Sequence, residues 1–204
     1  MRHVRLFAWN DGFKTYVVLK MTSSIDICSN ALQLIGDEPI NSFDEPGAGA
    51  KVAKALYQTI KETLLSSHTW SFALKQQRLS RLSQVPDKKT GYNYAFQLPT
   101  DLIRIWNIQD HSDYILINGL LYSNNKELLC TYIYDVEESA LPPQFAKSLE
   151  YALAADFAIS ITENQSMNAL YEQKAQMAAI MARSIDSQGR PQQGFIDRPL
   201  IDVR

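Results

Sequence analysis

Tyr114-Ile115-Leu116-Ile117-Asn118-Gly119-Leu120-Leu121-Tyr122 lies near the middle of this 204-residue chain, and its reading decides the fold around it. Two runs of aliphatic and aromatic residues flank Asn-Gly, the dipeptide best suited to the two positive-φ positions of a type I′ turn. The spacing predicts a β-hairpin. Further apolar-rich runs lie on either side, at residues 92–98, 102–108 and 128–134. Pro86-Asp87, Pro99-Thr100 and Asn124-Asn125 punctuate them. Residues 74–140 therefore read as one small antiparallel β insert.

Outward from this centre the period changes from two to about 3.6. On the N-terminal side, residues 24–35 read as a helix. Ser23 and Asp26 stand at capping-box spacing, and Ile27, Ala31, Leu34 and Ile35 share a face. Gly36 suits the position after the last helical residue, and Pro39 lies just beyond it. After a loop rich in acid, Pro and Gly, residues 48–67 read as a second helix with Val52, Leu56, Ile60 and Leu64 spaced by four. Trp70 and Phe72 follow, alternating with small residues, so a strand is expected to start there. On the C-terminal side, Leu141-Pro142-Pro143 opens a third helix running to residue 162. A fourth is expected over 167–185, with Leu170, Met177, Ile180 and Met181 facing inward.

Helices and strands are thus segregated, the α+β pattern. The simplest packing is a four-helix bundle whose middle connection carries the small antiparallel β domain. Residues 21–73 supply helices one and two, and residues 141–186 supply helices three and four. Two segments flank this body. Residues 1–20 hold two short apolar runs around Asn10-Asp11-Gly12, either a hairpin or a translated leader ahead of Met21. Residues 187–204 contain Gly189, Pro191, Gly194 and Pro199, too broken for a helix. They read as an extended C-terminal arm. Its Phe195, Ile196, Leu200, Ile201 and Val203 are candidates for contact with a neighbouring subunit or another protein.

Composition narrows the function. The chain is 46% hydrophobic and 21% charged, ordinary for a domain with its own core, and its formal net charge is −2. No basic tract marks a sequence-reading DNA binder. No apolar run reaches membrane-spanning length. Cys28 and Cys130 belong to no CxxC or Cys/His cluster and read as buried free thiols.

The residue types that carry chemistry are present, but not in catalytic patterns. His68 closes the second helix, where the macrodipole favours a cation. His111 sits with Asp110 and Asp113 on a polar loop without metal-ligand spacing. The acidic pairs Asp37/Glu38, Asp44/Glu45 and Glu137/Glu138 flank helices, where they cap and complement the dipole. Gly47-Ala48-Gly49 completes no phosphate-binding motif and reads as a flexible loop into the second helix. The aromatic residues of the β region lack a Lys/Arg groove, so they read as packing or as a protein interface. No catalytic residue, metal site or cofactor is expected.

Five short motifs, in order, resemble the tail tubular protein A family of short-tailed phages, the head-to-tail adaptors. Residues 31–43, Ala-Leu-Gln-Leu-Ile-Gly-Asp-Glu-Pro-Ile-Asn-Ser-Phe, resemble its opening helix, Ile-Gly stop and acidic link. Residues 64–72, Leu-Leu-Ser-Ser-His-Thr-Trp-Ser-Phe, resemble its helix end and Gly-Trp-x-Phe, with Thr69 in place of the usual Gly. Leu98-Pro99-Thr100-Asp101-Leu102-Ile103-Arg104 is similar to its Leu-Pro-x-Asp-x-Leu strand. Gly119-Leu120-Leu121-Tyr122 is similar to its Gly-x-x-Leu-Tyr hairpin. Leu141-Pro142-Pro143-Gln144-Phe145 through Ala154-Ala155 is similar to its Leu-Pro start and Ala-Ala helix. The resemblance spans about residues 25–185 and leaves both flanking segments outside.

The resemblance implies a homo-oligomeric ring, usually of twelve subunits, between the portal and a nozzle protein of tail tubular protein B type. Tail fibres are further expected neighbours, and phage DNA passes through the lumen in passive contact. It implies a virion neck component, assembled in the host bacterial cytoplasm and making no use of a membrane. The competing readings are a tail-associated cell-wall hydrolase and a nucleic-acid-binding module. Trp70, Phe72, Gly36 and Pro39 are the expected structural anchors.

Overall fold

In the computed structural model, which describes residues 22–83, 91–108 and 113–189, helix α1 (Ser24–Leu34) starts at the capping box. Asp26 N–H donates to Ser23 Oγ at 3.1 Å, and Ser23 N–H donates back to Asp26 Oδ2 at 3.0 Å. The helix stops at Gly36, whose φ of +84° is open to glycine at no steric cost. There Gly36 N–H bonds Gln33 O and Asp37 N–H bonds Leu32 O, so two carbonyls at the helix end are satisfied. Pro39 is exposed, and the residue after it is pinned back onto α1, with Ile40 N–H donating to Ser29 Oγ at 3.1 Å.

Helix α2 (Ala48–Ser66) buries Ala50, Ala53, Tyr57, Lys61 and Leu65. The expected row of Val52, Leu56, Ile60 and Leu64 is only half-buried. The helix is turned by about one residue, 100°, from the face that its largest aliphatics mark. The strand expected at Trp70 and Phe72 is instead a short 3-10 turn, Ser71–Ala73, and strand β1 (Leu74–Arg78) begins after it.

Among the described residues the β insert holds seven strands. After β1 come β2 (Ser80–Arg81), β3 (Tyr94–Gln97), β4 (Leu102–Ile108), β5 (Tyr114–Ile117), β6 (Leu120–Ser123) and β7 (Leu129–Tyr134). They form two antiparallel sheets, ordered β1-β7-β4 and β2-β3-β6-β5. The Asn118-Gly119 turn forms, with φ of 51° and 74°, and sets Ile117 opposite Leu120. Leu79, Phe96, Ile108, Leu121, Leu128, Cys130 and Tyr132 make a core between the sheets.

A further 3-10 turn (Glu138–Ala140) leads into α3 (Pro143–Thr162). Glu163 in the left-handed region and Asn164 then reverse the chain into α4 (Gln165–Gln188). The Asn164 side chain caps that helix by accepting from Met167 N–H at 3.0 Å. The helix therefore starts two residues before the expected position and continues three past residue 185, into the segment read as an arm. Helix α3 is buried on most sides, through Phe145, Leu149, Leu153, Ala154, Phe157 and Ala158. Helices α1, α2 and α4 all pack on α3, and α4 runs along it.

The described residues are therefore mixed α+β, four helices with two small antiparallel sheets between α2 and α3. The N-terminal hairpin, His111 and the tail residues Phe195, Ile196, Leu200, Ile201 and Val203 lie outside the described residues.

Candidate functional site

Two structural features join the helices to the β insert, and both follow from residues at the chain's two crossings between them. The first is polar. Lys61, in the buried row of α2, has a side chain only 3% exposed. Its Nζ lies 2.8 Å from Asp135 Oδ1 and 3.0 Å from Glu138 Oε1, both on the stretch from β7 to α3. The Asp135 contact is an ion pair without an aligned hydrogen bond, whereas Lys61 donates directly to Glu138. Tyr57, one turn earlier, donates its hydroxyl to the same Glu138 oxygen at 3.0 Å. Gln58 donates to Asp135 Oδ2 at 3.0 Å.

Electrostatics follow from this packing. Burial works against the Glu138 carboxylate, but its own backbone N–H, Lys61 and Tyr57 outweigh that and hold its pKa below the ordinary range. Burial, then the nearby Glu138 charge, pushes the Tyr57 hydroxyl far up. Burial with the same carboxylate raises the Cys28 thiol to about 12, and burial raises Cys130 to about 11. Both cysteines are buried and free.

Beside this joint opens a cleft of about 390 Å³ lined by Glu62, Thr100, Asp101, Leu102, Ile103 and Asp135. Its carboxylates each hold a structural partner. Glu62 accepts from Gln58, Asp135 is paired with Lys61, and Asp101 accepts from Lys75 at 2.6 Å and from Tyr132 at 3.0 Å. The Lys75 hydrogen bond is the chief reason the Asp101 pKa is lowered. Among the described residues no group of three His, Cys, Asp or Glu is placed to hold a metal ion. Among them, too, no helix is long and apolar enough to cross a membrane.

The second joint is aromatic. Trp70 is fully buried, and its Nε1–H donates to Leu64 O at 3.1 Å. Its ring meets Phe145 edge-on at 5.1 Å and tilts against Phe72 at 5.7 Å. His68 stands edge-on to it at 5.0 Å. The end of α2, the 3-10 turn and the start of α3 are thus stapled together. An apolar groove of about 170 Å³ lies beside them, bounded by Pro142, Ala182, Ile185 and Gly189. Trp70 and Phe72 lie side by side between the end of α2 and the start of β1. Gly36 and Pro39 are not part of this junction; they shape the link between α1 and α2. Gly49 is not in a flexible loop. It is buried within α2, where an added Cβ would lie 3.1 Å from Asp37 and 3.2 Å from Leu32.

Among the described residues, most of the large apolar side chains that stay exposed fall in two groups, and Ile159 on α3 stands apart from both. Trp106, Tyr114, Ile115 and Leu116 are 41–54% exposed on β4 and β5, each at the edge of its sheet. Leu170, Met177, Ile180 and Met181, expected to face inward, are 48–65% exposed on α4. The buried face of α4 is instead Tyr171, Ala179 and Ala182. Periodicity located a stripe of large residues, but the alanine-rich stripe packs on α3 because small side chains let two helices approach closely.

Lys61 and Asp135 were not singled out by sequence reasoning, and the α4 stripe was read as facing inward. The available signal for Lys61 was its place four residues from Tyr57 and Leu65, in a row that otherwise holds core residues. No family model matches the chain, and no curated protein matches it.

Proposed function

We propose that this chain is a structural ring subunit, the head-to-tail adaptor that joins portal and tail nozzle in a short-tailed phage. The reading starts from the ordered motifs. They fall on the end of α1, the end of α2, the approach to β4, the β5–β6 hairpin and the start of α3. In this reading the four helices form the bundle that serves as the body, and the β insert projects toward a neighbouring protein. Phage DNA passes through the lumen without being read, consistent with a near-neutral chain.

The observation that carries the proposal is the pair of apolar sheet edges. Strand β5 exposes Tyr114, Ile115 and Leu116, and β4 exposes Trp106. Free edges with apolar side chains pair with other chains unless something covers them. A subunit whose edges are closed by a neighbouring copy or by the nozzle uses that property. The joint built on Lys61 and Trp70 suits the same role, because it fixes the insert to the helices.

Native mass spectrometry of the chain mixed with portal rings tests the proposal. The expected result is one closed species of uniform stoichiometry, lost on Trp106→Ser combined with Ile115→Ser while the monomer's stability is kept. A chain that stays monomeric in the presence of portal overturns it. Clearing of a peptidoglycan gel would favour the hydrolase instead, and salt-dependent retention on DNA the nucleic-acid module.

A further inference from the structure

The outer side of α4 carries an apolar ridge with a groove at one end of it. At about 100° per residue, Leu170, Met177, Ile180, Met181 and Ile185 fall within about 140° of arc, away from the buried Tyr171, Ala179 and Ala182. Each of the five is 42–65% exposed. Gln173 and Ser184, in the same arc, carry no charge. Lys174 is the one charged residue there, and its Nζ is drawn to the flank, 4.8 Å from the centre of the Tyr171 ring. At one end of the ridge, Ala182 and Ile185 line the apolar groove of about 170 Å³ whose other walls include Trp70, Phe72 and Pro142. At the other end, roughly 22 Å away along the helix, stands Leu170, 48% exposed.

We infer that the outer face of α4 is a two-fold contact between two copies of this chain, packed antiparallel so that Leu170 of each copy seats against the groove of the other. An axis beside Met177 and Ala178, midway between Leu170 and Ile185, brings ridge end and groove together twice. It also lays Met177 of one helix near Ile180 of the other. A cavity of about 150 Å³ takes one benzene-sized apolar group. A groove of about 170 Å³ therefore suits a single leucine side chain. The area points to the same occupant. The five aliphatic side chains leave roughly 500 Å² of apolar surface in water, in the upper part of the range for a monomer's largest patch. With the groove walls added, the face approaches the roughly 800 Å² that each partner buries in a standard interface. The cores of homodimer interfaces are apolar in the same way. With its centre uncharged, the face meets its own copy without the like-charge repulsion that a charged face would suffer. The contact uses no residue of β4 or β5, so it does not depend on the ring reading.

Sedimentation equilibrium of the full chain, without portal, tests it. The expected result is a dimer at micromolar concentration that reverts to monomer on dilution. Leu170→Asp combined with Ile180→Asp is expected to halve the mass while the helical circular dichroism is kept. Trp106→Ser combined with Ile115→Ser is expected to leave the dimer intact, so this contact and the ring reading fail separately. Cross-linking fixes the register, since the native Cys28 and Cys130 are buried. Met177→Cys is expected to link to its own copy through a short bismaleimide. Leu170→Cys is expected to link to Ile185→Cys when the two variants are mixed. A monomer at every concentration overturns the inference and gives the face to a different partner. An oligomer that keeps its mass in the α4 double variant also overturns it. So does a Leu170→Cys chain that links to itself, the mark of parallel pairing.

Discussion

Lys61 Nζ and Glu138 Oε1 lie 3.0 Å apart, and through that contact α2 holds the turn that leads from the sheet into α3. The lysine is almost wholly enclosed, whereas the carboxylates of Glu138 and Asp135 are 26% and 38% exposed. The asymmetry decides which partner is costly to lose. Replacing both acids, Asp135→Asn with Glu138→Gln, strands an ammonium in the interior and should cost about 3–5 kcal/mol. Lys61→Met leaves two carboxylates that reach water, and should cost about 1–3 kcal/mol. Urea denaturation of the two variants checks the order. A Lys61→Met chain that is the less stable of the two refutes the account.

The same cluster fixes the acid limb of stability. Glu138 and Asp101 have folded pKa values below their ordinary ones of 4.5 and 3.8. A depressed carboxylate contributes stability that is fully present above its unfolded pKa and is lost as pH falls through the folded value. The urea midpoint should therefore hold steady down to about pH 4.5 and decline below it. Glu138→Gln should flatten the upper part of that decline. An unchanged acid profile in the variant would remove Glu138 from the explanation.

Trp70 is expected to be the single most costly aromatic to truncate. Trp70→Ala removes a fully enclosed ring that touches Phe72, Phe145 and His68, and should lower stability by about 3–5 kcal/mol. Phe72→Ala, at a half-buried position, should cost less. Thermal unfolding followed by circular dichroism compares them. A melting point for Trp70→Ala equal to that of the unaltered chain would contradict the packing described.

Gly36 isolates a backbone effect. A Cβ there meets nothing within 4 Å, so Gly36→Ala adds no clash and only forces alanine into the left-handed region. The cost should be about 1–2 kcal/mol. Gly36→Asn should recover part of it, since asparagine tolerates that region. Equal losses for Ala and Asn would point to side-chain crowding that the structure does not show.

These sites were unequally legible in the sequence. The capping box at Ser23, the stop at Gly36, the Asn118-Gly119 turn and the Pro143 start are local devices. Each depends on two to four neighbouring residues, and each appears where the spacing placed it. The facing of α2 and α4 was not legible. Periodicity marks a stripe of large residues, but which stripe packs depends on the partner helix, and α3 accepts alanines from α4 more closely than methionines. The Lys61 joint was hidden for a related reason. Its acids lie 74 and 77 residues further along, within a stretch that reads locally as helix capping.

One consequence of the strand order is mechanical. The chain leaves the helices through β1 and returns through β7, and these two strands lie side by side, with Leu74 opposite Ile133. A force drawing the sheets away from the helices pulls both strands from the same end and in the same direction. It does not drive one past the other, so the ladder between them is not sheared. Tension is passed instead to the two places where the strands enter the helical body, the Trp70 staple and the Lys61 ion pair. Those are the points at which the insert should yield first under load, with the sheets still intact.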